Sequence, residues 1–266
     1  MYRPILISGM MLAATSAAIA GSPSIDGLLD AAAGYTNVTG TNAPAARTGF
    51  GASMDASEIW FTSDATTLYF FIQCKADTAS NNGILFLLDT SAQTGDAAGS
   101  PLGGITGSGH ALADTTNPNW KMEFEVDHAW VGNPGNTSTA FFVDEANYVG
   151  TNSGSFFGAL SQSGTGVNGG GVTQAFNNGG AAGGLGASNG WEFAIDRASL
   201  GNITNAGSFT VFATVVSNTA SFSDDSAPGT ISTGNPGFNA DFGTIAGTQS
   251  SGSLAVPVTL AAFSID

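Results

Sequence analysis

Short apolar runs rich in aromatic and β-branched residues recur along the chain, and each is bounded by Gly, Asn, Asp, Ser or Pro. Runs of this length between turn residues are typical of β-strands. After residue 20, no segment carries a sustained apolar stripe of helical period. We therefore expect an all-β protein, a single large, jelly-roll-like and mostly antiparallel β-sandwich. The predicted strands are 57–63, 67–75, 83–89, 121–130, 139–145, 190–196 and 208–218.

The stretch from Gly150 to Gly190 interrupts this pattern, because 14 of its 41 residues are glycine. Its clear apolar clusters are Phe156–Phe157 and 172–176. Glycine-rich sequence with so few side chains to pack favours loop over strand. We expect a long loop with at most one hairpin, and a loop of this length is either functional or mobile.

The first twenty residues have the features of a secretory signal peptide. Arg3 precedes an uncharged apolar stretch, and the small residues Ala18 and Ala20 stand at the minus-three and minus-one positions of the expected cleavage point. The strongly apolar core is shorter than the roughly 20 residues that span a bilayer. We expect a secreted or cell-surface protein with no membrane insertion after cleavage, a β-sandwich domain over 21–256 and a C-terminal strand or tail over 257–266.

The composition limits the classes of partner that the protein can bind. Only 9% of the residues are charged, and 5 Lys plus Arg against 20 Asp plus Glu give a net charge of -15. No basic cluster is present to neutralise phosphates, so nucleic acid is a poor candidate partner. The surface must instead consist mainly of neutral hydrogen-bonding groups, which suit sugars or packing against another copy. The single cysteine, Cys74, alternates with apolar residues, which predicts a buried side chain.

Tryptophans are the candidate platforms for a sugar, since an aromatic face suits the C–H face of a pyranose ring. Trp60, Trp120 and Trp130 are the predicted ligand-binding residues. Trp120, which follows Asn-Pro-Asn at the junction between a loop and a strand, is expected to be the most exposed of them.

Acidic residues alternate with apolar ones near the middle of the chain. Glu123, Glu125 and Asp127 alternate with three apolar residues, so a period of two puts the carboxylates on one face of a half-buried strand. Three interpretations remain open: a solvated outer face, a site for a hard cation that needs several oxygens, and a carboxylate pair for glycoside hydrolysis.

Four other aspartates are candidate calcium ligands: Asp26, Asp89, Asp224 and Asp225. Asp89 ends a predicted strand, while Asp224 and Asp225 lie in a Ser-rich segment that ends in Pro-Gly. Two interpretations are open for these positions. Aspartates there can hydrogen-bond their own backbone in turns, or they can converge on Ca²⁺.

Several segments resemble a known family. Ser24–Asp30 is similar to the "DG-x-L-D" opening of family 9 carbohydrate-binding-module-like, or DOMON-like, secreted bacterial β-sandwich domains. Segments 68–90, 190–202 and 209–229 are similar, in the same order, to later strands and turns of these domains. The resemblance implies a β-sandwich fold and extracellular carbohydrate binding.

Two functions are compatible with the sequence, and no catalytic residue is predicted. The first is a non-catalytic secreted cell-surface or matrix protein that binds neutral carbohydrate with assistance from Ca²⁺. The second is a self-assembling structural subunit of an extracellular filament, sheath or surface layer, in which exposed strand edges pair between copies.

Overall fold

The computed structural model describes residues 22–39, 49–50, 54–178, 189–229, 231, 234–245 and 250–254. The predicted signal peptide and the C-terminal tail over 257–266 lie outside this part of the chain. Within it, no helix is long and apolar enough to cross a membrane. Short 3-10 turns occur at Ala31–Ala33, His110–Leu112, Arg197–Leu200 and Phe242–Thr244.

Fourteen antiparallel strands in the described residues form two sheets, which confirms the predicted all-β sandwich. The strands are β1 Thr36–Asn37, β2 Asp55–Ser63, β3 Thr67–Lys75, β4 Gly83–Thr90, β5 His128–Asn133, β6 Ala140–Asn147, β7 Ser153–Ser161, β8 Val167–Gly169, β9 Val172–Phe176, β10 Gly190–Asp196, β11 Ser208–Val216, β12 Ser221–Ala227, β13 Gly237–Phe238 and β14 Ser250–Ser253. The six-stranded sheet has the order β1-β2-β3-β10-β9-β8, and the eight-stranded sheet has the order β13-β12-β11-β4-β5-β6-β7, with β14 also paired to β11.

The eight-stranded sheet is covered on both faces. Its inner face packs against the six-stranded sheet and forms the main core, while its outer face carries a second apolar cluster under irregular chain from about residue 95 to 126 and from 231 to 242. Central strand β4 contributes to both, because Phe86 points into the main core and Leu85 and Leu87 into the second cluster. A strand buried on both faces has apolar residues at successive positions, as Ile84–Leu88 does.

The strand predicted over 121–130 forms only in part, because most of this segment covers the second apolar cluster. Only β5, from His128 onward, is a strand, and residues 121–127 are irregular chain held by isolated bridges from Lys121 to Asp241 and from Val126 to Asp96. The alternation of burial is present up to Val126, since Met122, Phe124 and Val126 are buried while Glu123 and Glu125 are half-buried, but Asp127 is buried as well. The apolar face of this segment covers the sheet instead of extending it.

The glycine-rich stretch contains more structure than predicted. β8 and β9 form the expected hairpin, whose turn uses Gly170 and Gly171 at φ values of 62° and 82°. β7, however, is a nine-residue strand at the edge of the eight-stranded sheet, where a loop was expected. β7 has few apolar side chains, so its sequence does not predict a strand. It is a strand because its backbone hydrogen-bonds to β6.

Cys74 is 1% exposed on β3, in agreement with its predicted burial. Burial raises the pKa of its thiol, so the residue behaves as a small core side chain and not as a nucleophile.

Candidate functional site

A cleft of about 370 Å³ lies where β5, β6 and β7 of one sheet approach β8, β9 and β10 of the other. This volume is within the usual range for small-ligand sites. The residues that line it are His128, Trp130, Glu145, Ala146, Asn147, Phe156, Phe157, Gly169, Gly170, Val172, Ile195, Ser199 and Leu200.

Two adjacent phenylalanines, Phe156 and Phe157, line the cleft where β7 is irregular. Its pairing with β6 shifts register between Val143 and Asp144, which leaves Phe157 as an extra residue in β7. Adjacent side chains of a regular strand point to opposite faces, and a β-bulge suspends this alternation and re-aims side chains. Phe156 is 57% exposed, while Phe157 packs against the main core. Phe157 therefore gives the cleft an anchored aromatic ring, while Phe156, which pairs with Asp144, lines the cleft at its exposed edge.

Glu145 is the carboxylate of the cleft. It lies on β6, and its Oε1 accepts a hydrogen bond of 2.6 Å from Ser155 Oγ on β7. Asn147, two residues further along β6, and Ser199 add neutral donors and acceptors to the lining. A lone carboxylate among hydroxyls and amides can accept hydrogen bonds from a polyhydroxylated ligand.

His128 and Trp130 form the wall on β5. Trp130 is 3% exposed and stacks on Phe86 and on His128, with ring centroids 5.9 Å and 5.7 Å apart. Burial lowers the pKa of His128 to about 4, so its ring is neutral at neutral pH. Nε1 of Trp130 is buried without a hydrogen-bond partner. Trp130 thus lines the cleft, but its ring does not offer an open stacking face, and its role in ligand binding stays a prediction.

The other two predicted tryptophans lie away from the cleft. Trp120 is completely buried in the second cluster and packs against Phe222 with a centroid distance of 5.2 Å, so the prediction that it is the most exposed tryptophan is wrong. Trp60 is half-buried on the outer face of the six-stranded sheet, and its Nε1 donates a hydrogen bond to Glu58 Oε2.

A second feature, which we call the acidic cluster, consists of Asp89, Glu125 and Asp127. One carboxylate oxygen from each lies within 4.8 Å of the others. Asp89 and Asp127 share the outer face of the eight-stranded sheet, since β4 and β5 pair Leu88 with His128. Glu125 comes from the chain that covers this face. The cluster therefore lies where the covering layer meets the sheet.

Burial and the closeness of like charges oppose ionisation of the acidic cluster. Burial, followed by the charges of Asp127 and Glu125, raises the pKa of Asp89 to about 6. Burial also raises the pKa of Asp127, against two hydrogen bonds to its Oδ2 from the amide and hydroxyl of Thr90. Like charges this close favour protonation of one member.

The four aspartates predicted as calcium ligands do not converge. Asp89 belongs to the acidic cluster, and its partners there are Glu125 and Asp127. Asp26 lies beside Glu192 of the six-stranded sheet and caps the Leu28 amide. Asp224 and Asp225 lie on β12, not in the expected turn, and are 6% and 5% exposed. Asp224 is held there because its Oδ1 accepts from the Gly49 amide.

The residues that sequence reasoning missed are Phe156, Phe157 and Glu145. The sequence marks the two phenylalanines as an apolar cluster inside glycine-rich chain, but nothing local to them indicates the pairing with β6. Glu145 ends a predicted strand, and its relation to the cleft depends on the approach of the second sheet.

Comparisons with protein-family models, with curated proteins and with solved structures give no match for this chain. The resemblance to family 9 carbohydrate-binding-module-like domains therefore stays a prediction, and the function must be argued from the cleft and the acidic cluster.

Proposed function

We propose that the protein is a non-catalytic secreted surface or matrix protein that binds neutral carbohydrate in the cleft between the sheets. The observation that carries the proposal is that Phe156 and Phe157, at the irregularity in β7, line the cleft beside Glu145. Bulges are over-represented at sheet edges and next to active sites, where they re-aim a side chain or end the pairing.

The lining matches the chemistry of a neutral sugar. A pyranose presents an apolar C–H face and a rim of hydroxyls, and it is best held by an aromatic face next to a few polar groups. Phe156 offers the exposed ring, while Glu145, Asn147 and Ser199 offer acceptors and donors. The low charge of the chain fits a ligand that needs no ionic partner.

The cleft supports binding better than hydrolysis. Glycoside hydrolysis generally requires two carboxyl groups on either side of the scissile bond. Among the described residues that line the cleft, Glu145 is the single carboxylic acid. We therefore expect the protein to bind an oligosaccharide without cleaving it.

A glycan array followed by calorimetry with a neutral oligosaccharide tests the proposal. We expect Phe156→Ala to weaken binding about tenfold or more, a loss of roughly 1.4 kcal/mol, because the stacking ring is removed. Phe238→Ala is the matched control, since Phe238 is also 57% exposed but lies on β13 at the opposite edge of the same sheet. Its affinity should equal that of the wild type.

Absence of binding to any neutral glycan would contradict the proposal, as would equal losses in the two variants. Chromatography of the incubated oligosaccharide provides a separate readout. Release of shorter products would show that the protein is an enzyme.

The open edge of β7 favours a second candidate function, a self-assembling structural subunit. β7 pairs with β6 on one side, four of its nine residues are exposed, and its sequence SGSFFGALS has no charge and no proline. On its other edge the Gly154 amide donates to Thr106, so the part of the edge open to a second copy begins at Ser155. Exposed edges of this kind are templates for strand pairing between chains.

We expect Ala159→Lys to prevent assembly through this edge, because an edge lysine opposes pairing with a second copy. Ala159 is exposed on β7, so the change should leave the fold intact. Size-exclusion chromatography and negative-stain microscopy at rising concentration measure the effect. If the wild-type protein stays monomeric, or if the variant assembles equally well, the second candidate is wrong.

A further inference from the structure

The acidic cluster has the spacing of a cation site. Oxygens on opposite sides of a bound Ca²⁺ are separated by about twice the Ca–O distance of 2.3–2.6 Å. The three carboxylate oxygens of Asp89, Glu125 and Asp127 lie within 4.8 Å of one another. Asp89 and Glu125 are half-buried, so the cluster is open to water on one side, which can complete the coordination.

An unpartnered buried oxygen is a second and independent indication of a ligand. Asp127 is 0% exposed, and its Oδ2 accepts two hydrogen bonds from Thr90. Its Oδ1 is buried and has no hydrogen-bond partner. Leaving a buried carboxylate oxygen without a partner is costly, and such atoms generally mark a bound ion or a water.

No side-chain cation in the described part of the chain compensates these charges. Lys75 ends β3 in the other sheet, Lys121 Nζ lies 3.9 Å from Asp241 Oδ2, and the guanidinium of Arg197 donates to the backbone of Asp64 and to Asn205. His128, next to Asp127, donates to or accepts from Gln93 through its Nε2. Three carboxylates therefore face one another with no positive protein group between them.

We propose that Asp89, Glu125 and Asp127 bind a divalent cation, and that Ca²⁺ fits the site best. The ligands are hard oxygens with neither histidine nor cysteine among them, which disfavours zinc and other softer metals. Ca²⁺ also tolerates irregular geometry and a mixture of carboxylates and waters, whereas Mg²⁺ demands a near-ideal octahedron.

The bound cation joins the covering layer to the eight-stranded sheet. Glu125 Oε1 accepts from the Gly95 amide, and Asp96 and Val126 exchange two backbone hydrogen bonds of 3.0 Å. Asp89 and Asp127 fix the other side of the site to β4 and to the start of β5. The cation would thus hold the covering layer to the sheet at the margin of the second cluster. This role is independent of the sugar cleft, so either proposal can fail without the other.

Thermal melting in CaCl₂ and in chelator tests the site. With Ca²⁺ about 100-fold above its Kd, we expect the Tm to rise by roughly 5–10 °C. Calorimetry with CaCl₂ should give one site per chain, and MgCl₂ should compete weakly.

Two isosteric variants, Asp127→Asn and Asp89→Asn, distinguish a cation site from a merely structural cluster. In chelator each should melt at or above the wild-type temperature, because it relieves the repulsion between carboxylates. In CaCl₂ the wild type should melt at a higher temperature than either variant, because the variants no longer bind Ca²⁺ and gain no stability from it. Asp144→Asn is the matched control, since Asp144 is a half-buried acid on β6 outside the acidic cluster, and it should keep the full Ca²⁺ response.

An unchanged wild-type Tm in 10 mM CaCl₂ would overturn the proposal. So would a Ca²⁺ response that the Asp89→Asn and Asp127→Asn variants retain in full. Should Asp127→Asn fail to fold, Asp89→Asn alone decides, because Asp89 is only half-buried.

Discussion

Replacing Trp120 by alanine is expected to lower the free energy of unfolding by about 3–5 kcal/mol. Trp120 is 0% exposed and packs on Phe222. The ring centroid of Phe222 lies in turn 5.2 Å from that of Phe242. Removal of Trp120 leaves a cavity between the covering layer and the eight-stranded sheet. Gly103, whose Cβ would lie 2.8 Å from the indole nitrogen, shows how closely the chain is packed around this ring.

Urea unfolding of the wild type, Trp120→Ala and Trp60→Ala measures this effect. Trp60→Ala is the matched control, because Trp60 is half-buried on the outer face of the six-stranded sheet and should cost only about 1 kcal/mol. Equal losses of unfolding free energy for the two tryptophan variants would show that Trp120 is not packed in the second cluster.

Glu192 is expected to contribute stability that is lost as the pH rises from about 4.5 to 7. His110 and His128 act in the opposite direction, because burial lowers the pKa of each to about 4, so the Glu192 contribution is measured by comparing variants. Glu192 is completely buried on β10, where its carboxylate accepts hydrogen bonds from Tyr35 Oη and from the amides of Asp26 and Gly27. Burial nevertheless raises its pKa from 4.5 to about 7. The folded state thus holds a proton that the unfolded state releases, and this stabilisation is lost as the pH passes the folded pKa.

The contribution of Glu192 to the free energy of unfolding should therefore be about 2–3 kcal/mol larger at pH 5 than at pH 8. Glu192→Gln should remove most of this difference, because the neutral amide still accepts from the two backbone N–H groups. Asp144→Asn is a useful comparison, since burial raises the pKa of Asp144 to about 6 and its smaller contribution should end near that pH. Equal pH dependence in the wild type and Glu192→Gln would contradict this interpretation.

The sequence predicts strands best where their burial is simple. β3 and β10 have the predicted bounds, because both are short runs of apolar residues between clear turn signals. β12 was missed because Ser221–Ala227 contains serines and aspartates in place of apolar residues. These polar side chains are buried by chain that is distant in sequence, such as Gly49, and no local pattern encodes that contact.

The candidate sites show the same limit. Alternation predicted that Glu125 and Asp127 lie together, and the structure places them so, but their third partner is Asp89, which approaches through the pairing of β4 with β5. The cleft depends on a one-residue irregularity in β7 and on contact between two sheets. Its residues could not be identified from the sequence, because register is a property of pairs of strands.

The most direct measurement of the proposed function is a crystal structure of the protein with a neutral oligosaccharide that it binds. We predict that a sugar ring lies against Phe156 in the cleft between the sheets, with a hydroxyl donating a hydrogen bond to Glu145. A sugar bound elsewhere, for example beside Trp60 on the outer face of the six-stranded sheet, with the cleft empty, would contradict it.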